Sequence, residues 1–447
     1  MLFKMFRPAP DAPRLPDAEV QRVYPRMRWQ ILEATFFGYA MFYLTRNNLS
    51  PIAKELGEAL QYDKTMTGQI LAMTAASYGI GKFFMGALSD RSNPRVFMAV
   101  GMLLTACCNF AFGASADFTT HFWLWALNGL VQGMGWPPCG RSMGHWFSEN
   151  ERGLTFSTWN TSHNLGGGIA GYLATAAVAE FGGWQYAFYV PGVICLVGAC
   201  YLFWRLRDTP QSCGLPPVEE YRNDYGLQGV GEKGEQELSF WELLVNNVLL
   251  HKWVWILALA NFFAYITRYA MLDWGPTYVR EVKGASLISG GLTATFIEFG
   301  GIPSTILLGW LSDKLGGRRG MLATLAMLPI IAAFMVMLAT PQGLLWLDYA
   351  MLFVIGFFIY PVINLITIVA LDLTSKKAIG TAAGFIGLFG YAGRTVMNLK
   401  FGPILDHYKA AGNAERGWEI IMSLIIGSGV LSTVLLALTW RVRSRKG

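Results

Sequence analysis

Twelve separate stretches of mostly apolar residues run through this chain, at 29–50, 66–89, 95–114, 120–147, 154–177, 184–206, 252–279, 287–311, 320–340, 344–373, 378–402 and 418–440. Each is close to the roughly 20 residues that a helix needs to cross about 30 Å of hydrocarbon. Lipid offers backbone amides and carbonyls no partners, so a spanning segment of this kind must satisfy them within a helix. The rest of the composition agrees: 53% of residues are hydrophobic and only 14% are charged, with a mean hydropathy of +0.36. A soluble protein of this length is not so apolar. The fold class expected is an all-α integral membrane protein with twelve transmembrane helices. Fifty glycines suit close helix packing in lipid.

The formal charge of +6 says little about nucleic acid, and no nucleic-acid partner is expected; the distribution of charge says more. Arg22, Arg26 and Arg28 precede the first span, and Arg91, Arg95, Arg152, Lys314, Arg318, Arg319, Lys376 and Lys377 occupy connections that fall on the same side if the spans are counted from the amino terminus. Arg441, Arg443, Arg445 and Lys446 follow the last span. Positive charge gathers on the cytoplasmic side of membrane proteins, so both termini are expected there. The opening segment is Pro-rich and charged without a short apolar core, so no removable signal peptide is expected. The six cysteines lack metal-ligand spacing, and neither disulfides, metal nor other cofactors are expected.

The chain divides near 207–240, a polar stretch rich in Pro, Gly and charge. The expected organisation is a cytoplasmic segment 1–28, a six-helix bundle 29–206, a linker 207–240, a second six-helix bundle 241–440 and a cytoplasmic tail 441–447. An internal repeat supports the cut. Gly86-Ala-Leu-Ser-Asp90-Arg91 recurs as Gly309-Trp-Leu-Ser-Asp313-Lys314, and Tyr43-Leu-Thr-Arg46 recurs as Tyr265-Ile-Thr-Arg268, displaced by 223 and 222 positions. Two motifs that keep one offset mark a duplicated unit. The repeated arginines lie late in apolar stretches, where a guanidinium costs roughly 2.5–3.5 kcal/mol even on a lenient insertion scale and so needs a partner or a watery cavity. Two of them, one per half, point to an anion held between the halves. The alternative is that each forms a structural bridge with a carboxylate, for which Asp273 and Glu298 are the acids evident at depth.

The repeated Gly-x-Leu-x-Asp-Arg/Lys element, followed by Arg95 and by Arg318-Arg319, resembles the signature of the major facilitator superfamily, whose halves are parallel six-helix repeats around a midplane site. Asp90-Arg-Ser-Asn-Pro-Arg95, Gln132-Gly-Met-Gly-Trp-Pro-Pro-Cys-Gly-Arg141, Trp159-Asn-Thr-Ser-His163-Asn-Leu-Gly-Gly-Gly168 and Leu272-Asp-Trp274 resemble more narrowly the organophosphate:phosphate antiporters, above all those for glycerol 3-phosphate. The resemblance implies a bacterial inner-membrane secondary transporter that exchanges an organophosphate for inorganic phosphate, with membrane lipid around it. A monomer is expected.

Several residues are candidates for binding. Tyr43 and Tyr39 share a helical face with Arg46, and Tyr265 and Asn261 share one with Arg268. Arginine suits phosphate because its planar fork makes paired, charge-assisted hydrogen bonds to the oxygens. Lys82 shares a face with Tyr78 and either contacts substrate or snorkels to the nearby membrane surface. His163, with Trp159 and Asn160, is a binding group by the resemblance and a packing residue otherwise. Trp136-Pro137-Pro138 breaks the fourth span, bending it around a cavity or as a packing kink. Tyr391 matches a cavity tyrosine of the resembling family. Glu298 is read either as a partner exchanged between Arg268 and Lys82 or as a static bridge, and Asp90, Asp313, Arg95 and Arg318 as gating ion pairs.

Two departures bear on substrate. Glycerol-3-phosphate members carry lysine after the first-span arginine, where this chain has Asn47-Asn48, and Arg394 stands where a small residue is usual. Arg394 either adds a third cavity cation, favouring phosphoglycerate, or snorkels outward with Lys400. No Gly-Lys-Ser/Thr string binds ATP, and no nucleophile stands with a base and metal ligands, so an enzyme is not expected. A transporter-like organophosphate sensor is the remaining alternative.

Overall fold

A computed structural model describes residues 6–224, 245–314, 318–373 and 379–440. Residues 225–240 of the linker, Lys376, Lys377 and the tail 441–447 lie outside the described residues. The first half contains α1 (Asp17–Leu44), α2 (Ala53–Leu60), α3 (Lys64–Asp90), α4 (Pro94–Ala114), α5 (Phe118–Gln132), α6 (Trp136–Trp146), α7 (Glu149–Phe181), α8 (Tyr186–Arg205) and the short α9 (Val218–Arg222). The second contains α10 (Lys252–Asp273), α11 (Gly275–Glu281), α12 (Leu287–Lys314), α13 (Arg319–Ala339), α14 (Leu345–Leu373), α15 (Ile379–Ala410) and α16 (Ala414–Ala437). Twelve spans are thus present among the described residues, the fourth made of α5 and α6 in series. Twelve crossings return the chain to its starting side, so α1 begins and α16 ends at one face, called here the terminal end; the opposite face is the far end.

Local chemistry sets the helix starts. Asp63, Asn93 and Asp117 each accept a bond from an amide in the first turn that follows, at 2.7, 3.0 and 2.8 Å, which satisfies donors that the helix itself cannot. The Thr120 amide, helped by its hydroxyl, holds the Asp117 carboxyl below the usual carboxylate range. Pro137 and Pro138 enter at the first turn of α6, where no amide hydrogen is needed; the chain breaks over 133–135 as the sequence implied. α1 departs from the hydropathy pattern at both ends. It starts well before the apolar stretch because Val20 and Tyr24 are buried, with Tyr24 stacked on Tyr221 at 4.0 Å, and it stops at Leu44, short of Arg46.

Each half has its own core. Tyr24, Phe42, Met102 and Trp146 belong to one cluster and Phe112, Trp125 and Phe188 to another in the first half, while Met271, Phe334, Ile355 and Ile425 share one in the second. Outside these cores large apolar side chains stand in the open, among them Phe84, Val197, Leu328 and Val434. Such a surface is intolerable in water and natural against lipid.

The halves meet along two helix pairs, α3 with α15 and α7 with α12. At the second pair backbone approaches backbone: a Cβ on Gly171 would lie 2.4 Å from the Gly291 carbonyl, and the Thr295 hydroxyl donates to the Gly168 carbonyl at 2.6 Å. At the far end polar contacts bind the halves. Arg280 grips Glu55 with both terminal nitrogens, at 2.8 and 2.6 Å, Lys64 pairs with Glu281 at 2.8 Å, and the Thr65 amide donates to Asp406 at 2.7 Å.

Candidate functional site

Between the halves lies a cavity of about 630 Å³ that runs from the level of Arg268 toward the terminal end. Its walls include Lys82 near the end of α3, Phe156 and Ser157 near the start of α7, and Ala383 and Gly387 near the start of α15, so with the far end latched the cavity faces the terminal side. Nearly every binding residue expected from the sequence lines it: Tyr39, Tyr43, Tyr78, Lys82, Trp136, His163, Asn261, Tyr265, Arg268 and Tyr391. No carboxylate is among its lining residues.

The tyrosines form a continuous lining because their rings pack edge to face. Tyr39 meets Tyr43 at 5.4 Å, and Tyr391 of the second half meets Tyr78 of the first at 5.1 Å and Tyr265 at 5.4 Å. These rings carry the cations. The Arg46 guanidinium lies 3.7 Å from the Tyr43 ring centre and 4.8 Å from that of Tyr78; Arg268 lies 4.3 Å from Tyr360 and 4.9 Å from Tyr269. Such cation–ring contacts attract electrostatically and leave the fork free for an anion. Lys82 is exposed within the cavity, its Nζ 5.4 Å from the Trp136 ring.

Arg46 takes a place the sequence did not foresee. It lines a chamber of about 20 Å³ on the far side of the cavity, shared with Tyr43, Asn47, Arg268, Tyr269, Asp273, Glu298 and Arg394. The volume suffices for a water. Neither Arg46 nor Arg268 has a carboxylate within ion-pair distance among the described residues, and Arg268 Nε is buried with no hydrogen-bond partner.

Arg394 is neither a free third cation nor a snorkelling residue. It is 6% exposed and holds Asp273 with Nε at 2.8 Å and a terminal nitrogen at 2.6 Å, while Asn398 donates to the same carboxylate at 2.8 Å. Burial of both groups makes the pair obligatory, since an isolated charge at this depth has no other relief. Glu298 pairs with neither Arg268 nor Lys82. It accepts from Asn164 Nδ2 at 2.9 Å and from the Tyr360 hydroxyl, one partner from each half. His163 places its Nδ1 against the Asn160 carbonyl; a carbonyl only accepts, so that nitrogen carries hydrogen and Nε2 is left for a ligand.

Of the expected gating residues, Asp90, Arg95 and Arg318 form no ion pair among the described residues. Asp90 is exposed and has no ion pair among the described residues, because the turn after α3 is held by Arg141, which donates to the carbonyls of Ser89 and Ser92 and pairs with Asp208 at 3.0 Å. Arg95 donates to the Phe203 carbonyl and covers that ring at 4.4 Å. Arg318 is exposed without an ion pair among the described residues, and the Asp313 side chain lies outside them. Tyr269, Tyr360 and Asn164 escaped the sequence reading. Tyr269 directly follows Arg268 and Asn164 directly follows His163, a signal of adjacency that helical-face spacing discards; Tyr360 has no counterpart signal beyond being a polar aromatic in mid-span.

Residues 35–397 match the Major Facilitator Superfamily. The chain belongs to the Major Facilitator Superfamily. Within it, the chain is 41% identical to the glycerol-3-phosphate transporter of Bacillus subtilis (strain 168), covering 99% of both proteins. It is 37% identical to the probable hexose phosphate transport protein of Chlamydia pneumoniae, over 99% of this chain and 98% of that one. The fold is shared with a bacterial homolog of the human lysosomal transporter Spinster, solved in an inward-facing and unoccupied conformation, with a TM-score of 0.67, 16% identity and coverage of 92% of this chain and 95% of that one.

Proposed function

We propose that this chain is a secondary transporter that exchanges an organophosphate, glycerol 3-phosphate foremost, for inorganic phosphate by alternating access. The observation that carries the reading is a cavity between two half-proteins with cations and seven tyrosines in its wall, no carboxylate among its lining residues, and Arg46 in the chamber beyond. A phosphate dianion entering it meets Arg268, Arg46 and Lys82 as charge-assisted donors, tyrosine hydroxyls as neutral donors, and His163 Nε2 as an acceptor for the hydroxyl of the hydrogen phosphate. The transporters named above for glycerol 3-phosphate and hexose phosphate support the class. The pairing of Arg394 with Asp273 supports glycerol 3-phosphate over phosphoglycerate, because no spare guanidinium remains there for a second anionic group. The terminal end is assigned to the cytoplasm from its positive connections, and the whole to a bacterial inner membrane with the protein acting as a monomer.

Exchange follows from charge. Two unpaired guanidinia resist closure into a low-dielectric state, and a phosphate between them cancels the repulsion, so the loaded carrier changes sides and the empty one does not. The test is uptake of labelled phosphate into vesicles preloaded with phosphate, followed by competition with a panel of organophosphates. Rapid uptake that needs internal phosphate, inhibited best by glycerol 3-phosphate, is expected. Binding without flux means a sensor, and phosphoglycerate as the strongest competitor overturns the substrate assignment.

A further inference from the structure

The two copies of Tyr-x-Thr-Arg meet different backbones. Arg268 sits inside α10, which runs on unbroken to Asp273. α1 instead stops at Leu44, and residues 45–49 turn and bend before a short helix at Ser50–Ile52, so Arg46 is carried on unwound chain. Ending a helix at this depth bares carbonyls that lipid cannot satisfy. Side chains of neighbouring spans take them. The Phe42 carbonyl accepts from Gln132 Nε2 at 3.0 Å, and the Thr45 carbonyl accepts from Asn109 Nδ2 at 3.1 Å and Asn128 Nδ2 at 3.0 Å. Asn48 extends the net, donating to Asn109 Oδ1 and to the Ala187 carbonyl, both at 2.8 Å. Thr105 donates to Asn128 Oδ1 and accepts from Gln132 Nε2 at 3.0 Å. Thr45, Asn48, Thr105, Asn109 and Asn128 are fully buried and Gln132 is 1% exposed. At the matched place in the second half the Thr267 hydroxyl bonds, among the described residues, only to Phe263 of its own helix, at 3.0 Å.

We propose that Asn109, Asn128 and Gln132 are positioning residues for the anion site: they hold the unwound 45–49 segment so that the Arg46 guanidinium rests on Tyr43 and Tyr78 and presents its fork to phosphate. A continuous helix would satisfy the same carbonyls without a single polar side chain, so the net serves the break and not the span. One arginine of the pair is fixed by a helix, the other by hydrogen bonds to a broken one. This rests on the reading that Arg46 binds phosphate.

The test is kinetic. In vesicles containing equal amounts of protein, Asn128→Leu, similar in volume, is expected to raise the phosphate concentration for half-maximal exchange about tenfold, the loss of one charge-assisted contact, while the maximal rate is kept within about twofold, since the helix bundle itself is untouched. Asn128→Gln, which restores a donor, recovers most of the affinity, and Thr267→Val in the second half changes nothing. Unaltered half-saturation in Asn128→Leu overturns the proposal, as does a fall in maximal rate alone. If Asn128→Leu does not accumulate, Gln132→Met carries the same expectation; failure of both to accumulate makes the net purely structural and also overturns it. Arg46→Lys separates this from the functional reading: retained phosphate affinity there removes Arg46 from the site, whereas lost affinity there with none lost in Asn128→Leu removes only the positioning role.

Discussion

Arg46 and Arg268 carry charge that no accessible pH removes, and each rests on tyrosine faces instead of a carboxylate. What they offer a ligand is therefore geometry as much as charge. Replacing either by Lys keeps the cation and loses the two-pronged fork; loss of one charge-assisted contact costs about 1.5–3 kcal/mol, so exchange is expected to fall tenfold or more with insertion intact. Wild-type exchange by Arg268→Lys at normal levels contradicts this. Arg394 obeys a different rule. Removing it leaves Asp273 buried and uncompensated, which costs about 3–5 kcal/mol, so Arg394→Gly should lower the melting temperature in detergent far more than it alters the ranking of competing organophosphates. The two departures noted in the sequence, Asn47 and Arg394, line one chamber with Asp273. A cation absent at 47 is supplied at 394, and Asn47→Lys in the Arg394→Gly background should recover part of the lost stability. Sequence showed both departures but not their shared chamber, since one lies in each half and no spacing rule joins positions so far apart. Tyr39, Tyr43 and Tyr265 were legible because they share helical faces with the arginines, Tyr78 because it shares one with Lys82, and Tyr391 only through the family resemblance; of the two readings of Glu298 the structure has the static bridge between helices, made with the uncharged Asn164 and Tyr360.

At the scale of the element, hydropathy located every span, because apolar surface against lipid is a property of the segment alone. Helix ends were less legible. α1 runs long at its start on Tyr24 and Tyr221 and stops short at Leu44 on the Asn109–Asn128–Gln132 net, both decided by side chains distant in sequence. Close backbone approach is decided the same way: a Cβ on Gly166 in α7 would sit 2.1 Å from the Ala40 carbonyl in α1. A backbone atom cannot move aside without moving the helix. Gly166→Ala is expected to push α7 from α1, costing about 1–3 kcal/mol as overpacking does, and to draw His163 away from Tyr43, now 5.9 Å between ring centres. Thermal stability and phosphate affinity should fall together. A variant that loses neither shows that the two helices separate freely at this level.

The whole molecule is two cored bodies held at the far end and open at the terminal end, and the alternating access proposed above requires that preference to reverse. Arg280–Glu55 and Lys64–Glu281 join the halves across the far end, the carboxylates 21% and 26% exposed and the cations 9% and 15%. Partly solvated pairs of this sort contribute modestly, up to about 1 kcal/mol each, which is the right size for a latch that must open in every cycle; a dry, deeply buried bridge would hold one state too firmly. Glu55→Gln combined with Glu281→Gln should therefore shift the balance between the two openings by roughly 1–2 kcal/mol, about fivefold to thirtyfold in population, toward the state open at the far end. Cysteine placed at Asn47, in the chamber sealed beneath the latch, reports this in a background without the six native cysteines. A membrane-impermeant thiol reagent added from the far side should label Asn47→Cys several-fold faster in the double variant than in the parent. Equal labelling rates would mean that the glycine-backed contact of α7 with α12, where Gly171 meets Gly291, holds the far end shut by packing and that the ion pairs only decorate it.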